Sequence, residues 1–185
     1  MRKVKNILVL VFAFGLLLSC SEEFLTHPPK GQANEELIKN KTGIEQLVIG
    51  VYAVLDGVHG ESGAGKWASS VSNWVFGGVV SDNAYKGTVF GDQSQINPLE
   101  GFYADAANEY VANHWTPFYD GIARANNVLT MLTEEDIGLS AGEKTHIEAQ
   151  MRFLRAHFYV ELTRVHGPVP YIDENTEDPK TVPND

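Results

Sequence analysis

Residues 115–132, WTPFYDGIARANNVLTML, and residues 140–168, SAGEKTHIEAQMRFLRAHFYVELTRVHGP, decide the fold of this 185-residue chain. In both stretches apolar side chains recur at three- and four-residue intervals, which places them on one face of an α-helix. The second stretch opens on Ser140 with Glu143 three residues later, a capping box, and closes on Gly167-Pro168, which cannot continue a helix. The two stretches predict long helices joined by a short connection, a helical hairpin.

Pro117 lies near the start of the first of these helices. Proline removes a backbone N–H and fixes φ, so it either kinks a helix or occupies its first turn. Two placements follow: a kink at Pro117, or a helix that begins there with Thr116 as its cap. The apolar face of this helix is predicted to contain Val111, Trp115, Phe118, Tyr119, Ile122, Leu129 and Leu132.

A third helix is predicted upstream, after a short helical turn near residues 34–40. Thr42 followed by Glu45 has the spacing of a capping box, and the apolar periodicity fades near Gly57. The predicted apolar face contains Ile44, Leu47, Val48, Val51, Tyr52 and Leu55.

Between Gly57 and Gly101 the helical period is lost and the chain is rich in glycine and aromatic residues. Loops of this length in a compact domain commonly carry function, and the aromatic content argues against disorder. A sugar offers apolar ring faces bordered by hydroxyls, so flat aromatic rings beside amides or carboxylates suit it. The alternative is that the rings pack onto the helices. The candidate ligand-binding residues are Trp67, Asn73, Trp74, Asp82, Asn83 and Tyr85.

The N-terminus has the order of a lipoprotein signal: cations, an apolar run over residues 7–18, then Ser19 and Cys20. We predict that residues 1–19 are a signal peptide, that Cys20 receives acyl chains, and that residues 20–33 are a tether. The apolar run is shorter than the roughly twenty residues a membrane-spanning helix needs. The acidic pair Glu22-Glu23 either directs export to the cell surface or merely solvates the tether.

Composition excludes several classes of function. The chain carries a net charge of −10; cleavage before Cys20 removes three of its 14 bases and leaves 11 against 24 acids, or −13. Such a charge disfavours nucleic acid as a partner. Cys20 is the only cysteine, which rules out an internal disulfide and any zinc site with two thiolates. No metal motif, cofactor motif or catalytic constellation is recognisable, so the sequence predicts neither an enzyme nor a bound cofactor.

Paired helices that cannot bury their apolar faces alone are typical of tetratricopeptide-type stacks. The spacing Trp115-x-x-Phe118-Tyr119-x-x-Ile122 resembles the first helix of such a repeat, although no second copy at a fixed period follows. The predicted fold class is mostly α: tetratricopeptide-like hairpins with a long aromatic, glycine-rich loop. The polar residues Arg124, Asn126, Arg152 and Arg155 are predicted to serve this scaffold by pairing with groups such as Glu148.

Three groups of residues carry a resemblance to a known family. Phe24-Leu25 and Pro28 follow Cys20, and residues 50–55, GVYAVL, have the pattern "GxYxxL". The most specific group runs from Trp115 to Pro170 as "W-x2-FY-x2-I-x-RAN", "EA-x2-RFLRA-x-FY" and "G-x-VP". Together these groups resemble the RagB/SusD family of outer-membrane nutrient-uptake lipoproteins.

This resemblance implies a lipid-anchored protein exposed on the outer membrane. Such proteins capture starch, other oligosaccharides or peptides and deliver them to a TonB-dependent, SusC-like transporter without chemistry of their own. Family members are several hundred residues long, so residues 34–185 are expected to form an N-terminal helical domain that is truncated at its C-terminal end. The alternative is a structural or interaction lipoprotein, or a fragment without a ligand site of its own.

Overall fold

The computed structural model describes residues 38–56, 73–134 and 136–184. Within them the chain is helical and contains no strand, as the sequence predicted. The elements are α1 (Lys41–Tyr52) with a 3-10 turn (Ala53–Asp56), a π-helix (Trp74–Val79), α2 (Ile96–Glu100), α3 (Glu109–Met131), α4 (Ala141–His166) and a final 3-10 turn (Pro179–Thr181).

Helices α3 and α4 form the predicted hairpin and run antiparallel. His114 near the start of α3 contacts His166 at the end of α4, and the Phe118 and Phe158 rings meet with their centroids 5.9 Å apart. At the other end, the Lys144 ammonium donates to the carbonyls of Leu132 and Glu134, which stabilises the C-terminal end of α3. The two helices approach closely at Gly121 because glycine has no side chain. A Cβ at this position would lie only 2.7 Å from the Phe158 ring.

The ends of α4 are as predicted. The Ser140 hydroxyl accepts from the Glu143 backbone N–H, and the Glu143 carboxylate accepts from the Ser140 backbone, which completes the capping box. Gly167 follows the last helical residue with φ +74°, a left-handed backbone that glycine adopts without strain. Residues 169–172 then leave the helix and return along its side.

The structure places the starts of α1 and α3 at other residues than the sequence predicted. Helix α1 is capped by Asn40, whose side chain accepts from the Gly43 N–H, so the Thr42–Glu45 capping box is wrong. Asparagine is among the strongest N-caps, and it precedes Thr42. Helix α3 is capped by Asn108 and continues through Pro117, so the placement of Pro117 in the first turn is wrong too.

The main core lies between α1, α3 and α4. Its fully buried members include Ile44, Val51, Ile122, Met151 and Phe158, drawn from all three helices. Burial of such side chains contributes roughly 1.5–3 kcal/mol each, so this core is the main source of stability. A second, smaller core lies beside it in residues 73–111.

Candidate functional site

The second core supports the aromatic segment in which the sequence placed its candidate residues. The π-helix buries Val75 and Val79 against Ile96 and Leu99 of the five-residue α2 and against Tyr110 of α3. The sequence predicted a loop without helical structure from residue 57 to residue 101. That prediction is wrong for residues 74–79 and 96–100, which are too short to show a helical period.

Lys86 determines the shape of the loop between these two short helices. Only 8% of its surface is exposed, and its ammonium donates to the carbonyls of Val89 at 3.1 Å, Phe90 at 3.2 Å and Asp92 at 2.6 Å. An ammonium has three N–H donors, so these contacts satisfy it. We call residues 85–92 the Lys86 loop.

Two further bonds hold the Lys86 loop in place. The Thr88 hydroxyl donates to the Asp92 carboxylate at 2.8 Å, and the Asn97 amide on α2 donates to the Phe90 carbonyl at 2.9 Å. The loop backbone is therefore held by polar contacts within the loop and by one to α2.

The Lys86 loop presents two aromatic rings to solvent. Tyr85 and Phe90 are each 79% exposed, and the Lys86 ammonium lies 5.9 Å from the centroid of the Phe90 ring. Exposed rings on a backbone that is already ordered can stack on a ligand without the cost of ordering the loop. This arrangement suits an apolar, flat ligand face such as that of a pyranose ring.

Backbone strain is concentrated in the same part of the molecule. All the non-glycine residues with positive φ in the described part of the chain fall between residues 73 and 102: Asn73, Asp82, Gln93 and Phe102. Such conformations cost of the order of 1–3 kcal/mol each, and they cluster at binding and switch regions. For the bulky Phe102, with φ +60° and an exposed ring, the conformation is unusual.

The predicted site residues divide into three groups. Tyr85, Asp82 and Asn83 are exposed, and the Asn83 amide donates to the Ser81 hydroxyl. Trp74 is half-buried against the second core, and Asn73 begins the π-helix, its carbonyl accepting from the N–H groups of Gly77 and Gly78. Trp67 and Cys20 lie outside the described residues, as do the signal peptide and the tether.

Sequence reasoning missed Lys86 as the organiser of the loop and did not single out Phe90, Phe102 or Tyr103 as candidates. A lone lysine between glycine-rich segments reads as a solvated side chain, since lysine is almost never buried. The available signal was the position of Phe90 directly before Gly91 and of Phe102-Tyr103 directly after Gly101. The structure exposes all three rings.

A histidine pair joins the aromatic segment to the hairpin. His114 is buried between the rings of Phe76 and Phe118, and its Nδ1 lies 3.2 Å from Nε2 of His166. Burial lowers the pKa of His114 to about 3, and the neighbouring His166 and Arg164 act in the same direction. Burial also lowers the pKa of His166. Both rings are therefore neutral at ordinary pH and share one hydrogen bond.

The arginines and the asparagine assigned to the scaffold have structural contacts. Arg155 is buried, donates to the side-chain Oδ1 of Asn126 at 2.6 Å and pairs with Glu174. Arg152 pairs with Glu148 at 2.9 Å, as predicted. Arg124 donates to the Gly50 carbonyl, which ties α3 to α1.

Within the ranges that the structure describes, we find neither a group of three or more metal-ligating side chains nor a helix long and apolar enough to cross a membrane. The exposed aromatic rings of the Lys86 loop form a surface that is suited to binding.

Comparison with known proteins identifies the family. Residues 23–183 match a SusD-like family described as "Starch-binding associating with outer membrane". The chain belongs to the SusD-like family. This membership agrees with the helical fold and with the motifs between Trp115 and Pro170.

Two SusD-like relatives show how much of such a protein this chain represents. "SusD-like protein P25" of Formosa agariphila is 26% identical over 179 residues, which are 93% of this chain and 32% of that protein. A "SusD-like protein" of Bacteroides ovatus is 32% identical over 75 residues, which are 40% of this chain and 14% of that protein. The matched residues span about a third of the length of the first of these proteins and about a seventh of the second.

Proposed function

We propose that this SusD-like chain captures an extracellular oligosaccharide at the outer membrane and passes it to a TonB-dependent transporter, without catalysing a reaction. The observation that carries the proposal is the Lys86 loop. Its backbone is held by three carbonyl contacts to one buried ammonium, and it exposes Tyr85 and Phe90. The family description supports a glycan as the ligand.

The exposure of the rings supports ligand capture over a purely structural loop. A ring that serves the fold is buried, as Trp74 is in part, whereas Tyr85 and Phe90 make few contacts with the rest of the chain. Asp82 and Asn83 lie exposed a few residues away and offer groups for sugar hydroxyls. A peptide with aromatic or proline side chains is the alternative ligand for the same rings.

Attachment to the membrane is proposed through Cys20. Acyl chains contribute roughly 0.8 kcal/mol per buried CH₂, and two or more chains make attachment durable where one does not. The tether of residues 20–33 would then hold the helical body above the outer leaflet. Metabolic labelling with palmitate tests this, with Cys20→Ala as the unlabelled control, and surface proteolysis of intact cells tests the exposed location.

Affinity electrophoresis through gels that contain single polysaccharides tests capture. We expect starch or another neutral polysaccharide to retard the protein, and the double substitution Tyr85→Ala with Phe90→Ala to weaken the retardation. Phe153→Ala with Val160→Ala is the matched control, because it removes two exposed apolar side chains from α4 instead. Equal retardation of both double variants would contradict the assignment of the site.

A second function, docking to another protein, is favoured by one surface of α4. Ala149, Phe153, Ala156 and Val160 follow each other at intervals of four, three and four residues and are all exposed, Phe153 by 72%. This spacing forms an apolar stripe on the side of α4 that faces away from the core. The transporter is the partner we propose for it. Co-purification with a SusC-like transporter should be lost in the Phe153→Ala, Val160→Ala variant and retained in the Tyr85→Ala, Phe90→Ala variant.

A further inference from the structure

A groove along α4 is separate from the Lys86 loop and lies beside the apolar stripe, with which it shares Ala156. It has a volume of about 480 Å³, within the range of sites for small ligands. It runs between α4 and the segment that returns along it after Gly167. The lining residues on which the argument depends are Arg152, Ala156, Tyr159, Val169 and Tyr171.

The tyrosine pair gives the groove an aromatic wall that is fixed in place. The Tyr159 hydroxyl donates to the Ile172 carbonyl at 2.9 Å and accepts from the Ile172 N–H at 2.6 Å, so this ring cannot turn away. The Tyr171 ring lies against it, with the centroids 5.0 Å apart and the planes inclined by 32°. Tyr171 is nevertheless 58% exposed, which leaves ring surface for a ligand.

The arginine at the edge of the groove supplies donors but little net charge. Arg152 contacts Glu148 through Nε at 2.9 Å and Glu174 through Nη2 at 3.3 Å. One of its five N–H groups thus donates a hydrogen bond to Glu148, the contact with Glu174 is an ion pair, and the side chain remains half exposed. Glu174 also pairs with Arg155. The positive charges of the two guanidinium groups and the negative charges of the two carboxylates cancel. The net charge of the groove therefore does not favour an acidic ligand.

We infer that this groove is a second glycan-binding site, which takes one or two neutral pyranose units of an oligosaccharide. A pyranose face would stack on the Tyr171 ring, the apolar floor of Ala156 and Val169 would receive the C–H groups, and Arg152 would donate to ring hydroxyls. The inference rests on the proposed function, since it assumes that the ligand is a glycan. The groove would give the oligosaccharide a second contact surface, apart from the Lys86 loop.

Fluorine NMR of protein labelled with 3-fluorotyrosine tests both sites in one experiment. The seven tyrosines give separate resonances, which single Tyr→Phe variants assign. The probes are maltoheptaose, cellohexaose, laminarihexaose and xylohexaose at millimolar concentration. We expect at least one to shift the Tyr171 resonance saturably and to leave Tyr52, an exposed tyrosine on α1, unchanged. The Tyr171 shift should persist in the Tyr85→Ala, Phe90→Ala variant, because the two sites are separate.

The other outcomes distinguish the two proposals. A shift at Tyr85 alone would overturn the groove and leave the proposed function standing. A shift at Tyr171 alone would support the groove and remove the Lys86 loop from the binding surface. Movement of neither ring with any of the four probes would contradict both proposals. Oligogalacturonate is added as a fifth, acidic probe, and movement of Tyr171 with this probe only would overturn the neutral class of ligand.

Discussion

The α3–α4 hairpin and the segment from Asn73 to Ala107 are built in opposite ways. The hairpin consists of two long helices with capped ends, and side chains in the main core hold it together. The aromatic segment has a five-residue α-helix, a π-helix and a small core, and its loop is shaped by polar side chains that contact backbone carbonyls. The hairpin provides stability, whereas the segment places exposed rings on a strained, specific backbone.

Substitution of Phe158 should produce the largest loss of stability. Phe158 has no exposed surface and packs against Gly121 and Phe118 at the centre of the hairpin. Phe158→Ala should lower the free energy of unfolding by about 3–5 kcal/mol, the cost of a large cavity. Denaturant unfolding followed by circular dichroism measures this. Phe153→Ala on the same helix is the control and should change stability by no more than about 0.5 kcal/mol. Similar losses in the two variants would disprove the assignment of the core.

Substitution of Lys86 should affect the aromatic segment and spare the hairpin. Lys86→Met keeps much of the apolar length and removes three charge-assisted hydrogen bonds, so the local free energy of opening should fall by about 1.5–3 kcal/mol. Hydrogen exchange of the backbone amides should accelerate over residues 86–97 and stay unchanged in α3 and α4. Lys180→Met, on an exposed turn, is the control. Faster exchange throughout the protein would show that the two regions are one cooperative unit.

Lowering the pH should weaken the contact that His114 makes between the aromatic segment and the hairpin. The pKa of His114 is about 3 in the folded protein and 6.5 when unperturbed, so between these values the unfolded chain binds the proton and the folded chain does not. The contribution of His114 is therefore complete above about pH 6.5 and declines as the pH falls. We expect a loss of about 2 kcal/mol from about pH 6.5 to about pH 5. The lowered pKa of His166 adds to the loss.

The variant His114→Phe isolates this effect. It retains an aromatic ring between Phe76 and Phe118 and cannot be protonated. Its stability should fall less steeply over the same pH interval than that of the unmodified protein, in urea titrations at each pH. Parallel curves would mean that carboxylates elsewhere cause the loss.

The smallest predicted effects concern the helix caps. Ser140→Ala and Asn40→Ala should each lower the free energy of unfolding by about 1 kcal/mol, since each removes a side-chain acceptor from a helix start. Thr42→Ala should change it by no more than about 0.5 kcal/mol, because Asn40 is the cap. A larger loss of unfolding free energy from Thr42→Ala than from Asn40→Ala would show that Thr42 is the cap of α1, as the sequence predicted.

The contrast between the regions also explains how far the sequence could be interpreted. Ser140, Glu143 and Gly167 act through neighbours a few residues away, so their spacing was sufficient to predict the ends of α4. Asn40 and Thr42 are both good caps, and the structure uses Asn40, whose side chain accepts from the Gly43 N–H. Local patterns predict helices well and choose poorly between adjacent starts.

The candidate site was less accessible to prediction. Residue type suggested Tyr85, Asp82 and Asn83 as candidates, and the structure exposes all three. Trp74, suggested in the same way, packs in part against the second core. The burial of Lys86 depends on three backbone carbonyls that residue type does not indicate. Residue type indicates which chemistry is available, whereas exposure depends on tertiary contacts that no spacing encodes.

The central claim is that the Lys86 loop contacts the captured ligand. Hydrogen exchange of the protein, with and without the oligosaccharide that retards it most in affinity electrophoresis, tests this directly. We predict that the ligand slows exchange of the amides in residues 85–92. A bound ligand that leaves the exchange of residues 85–92 unchanged would contradict the claim.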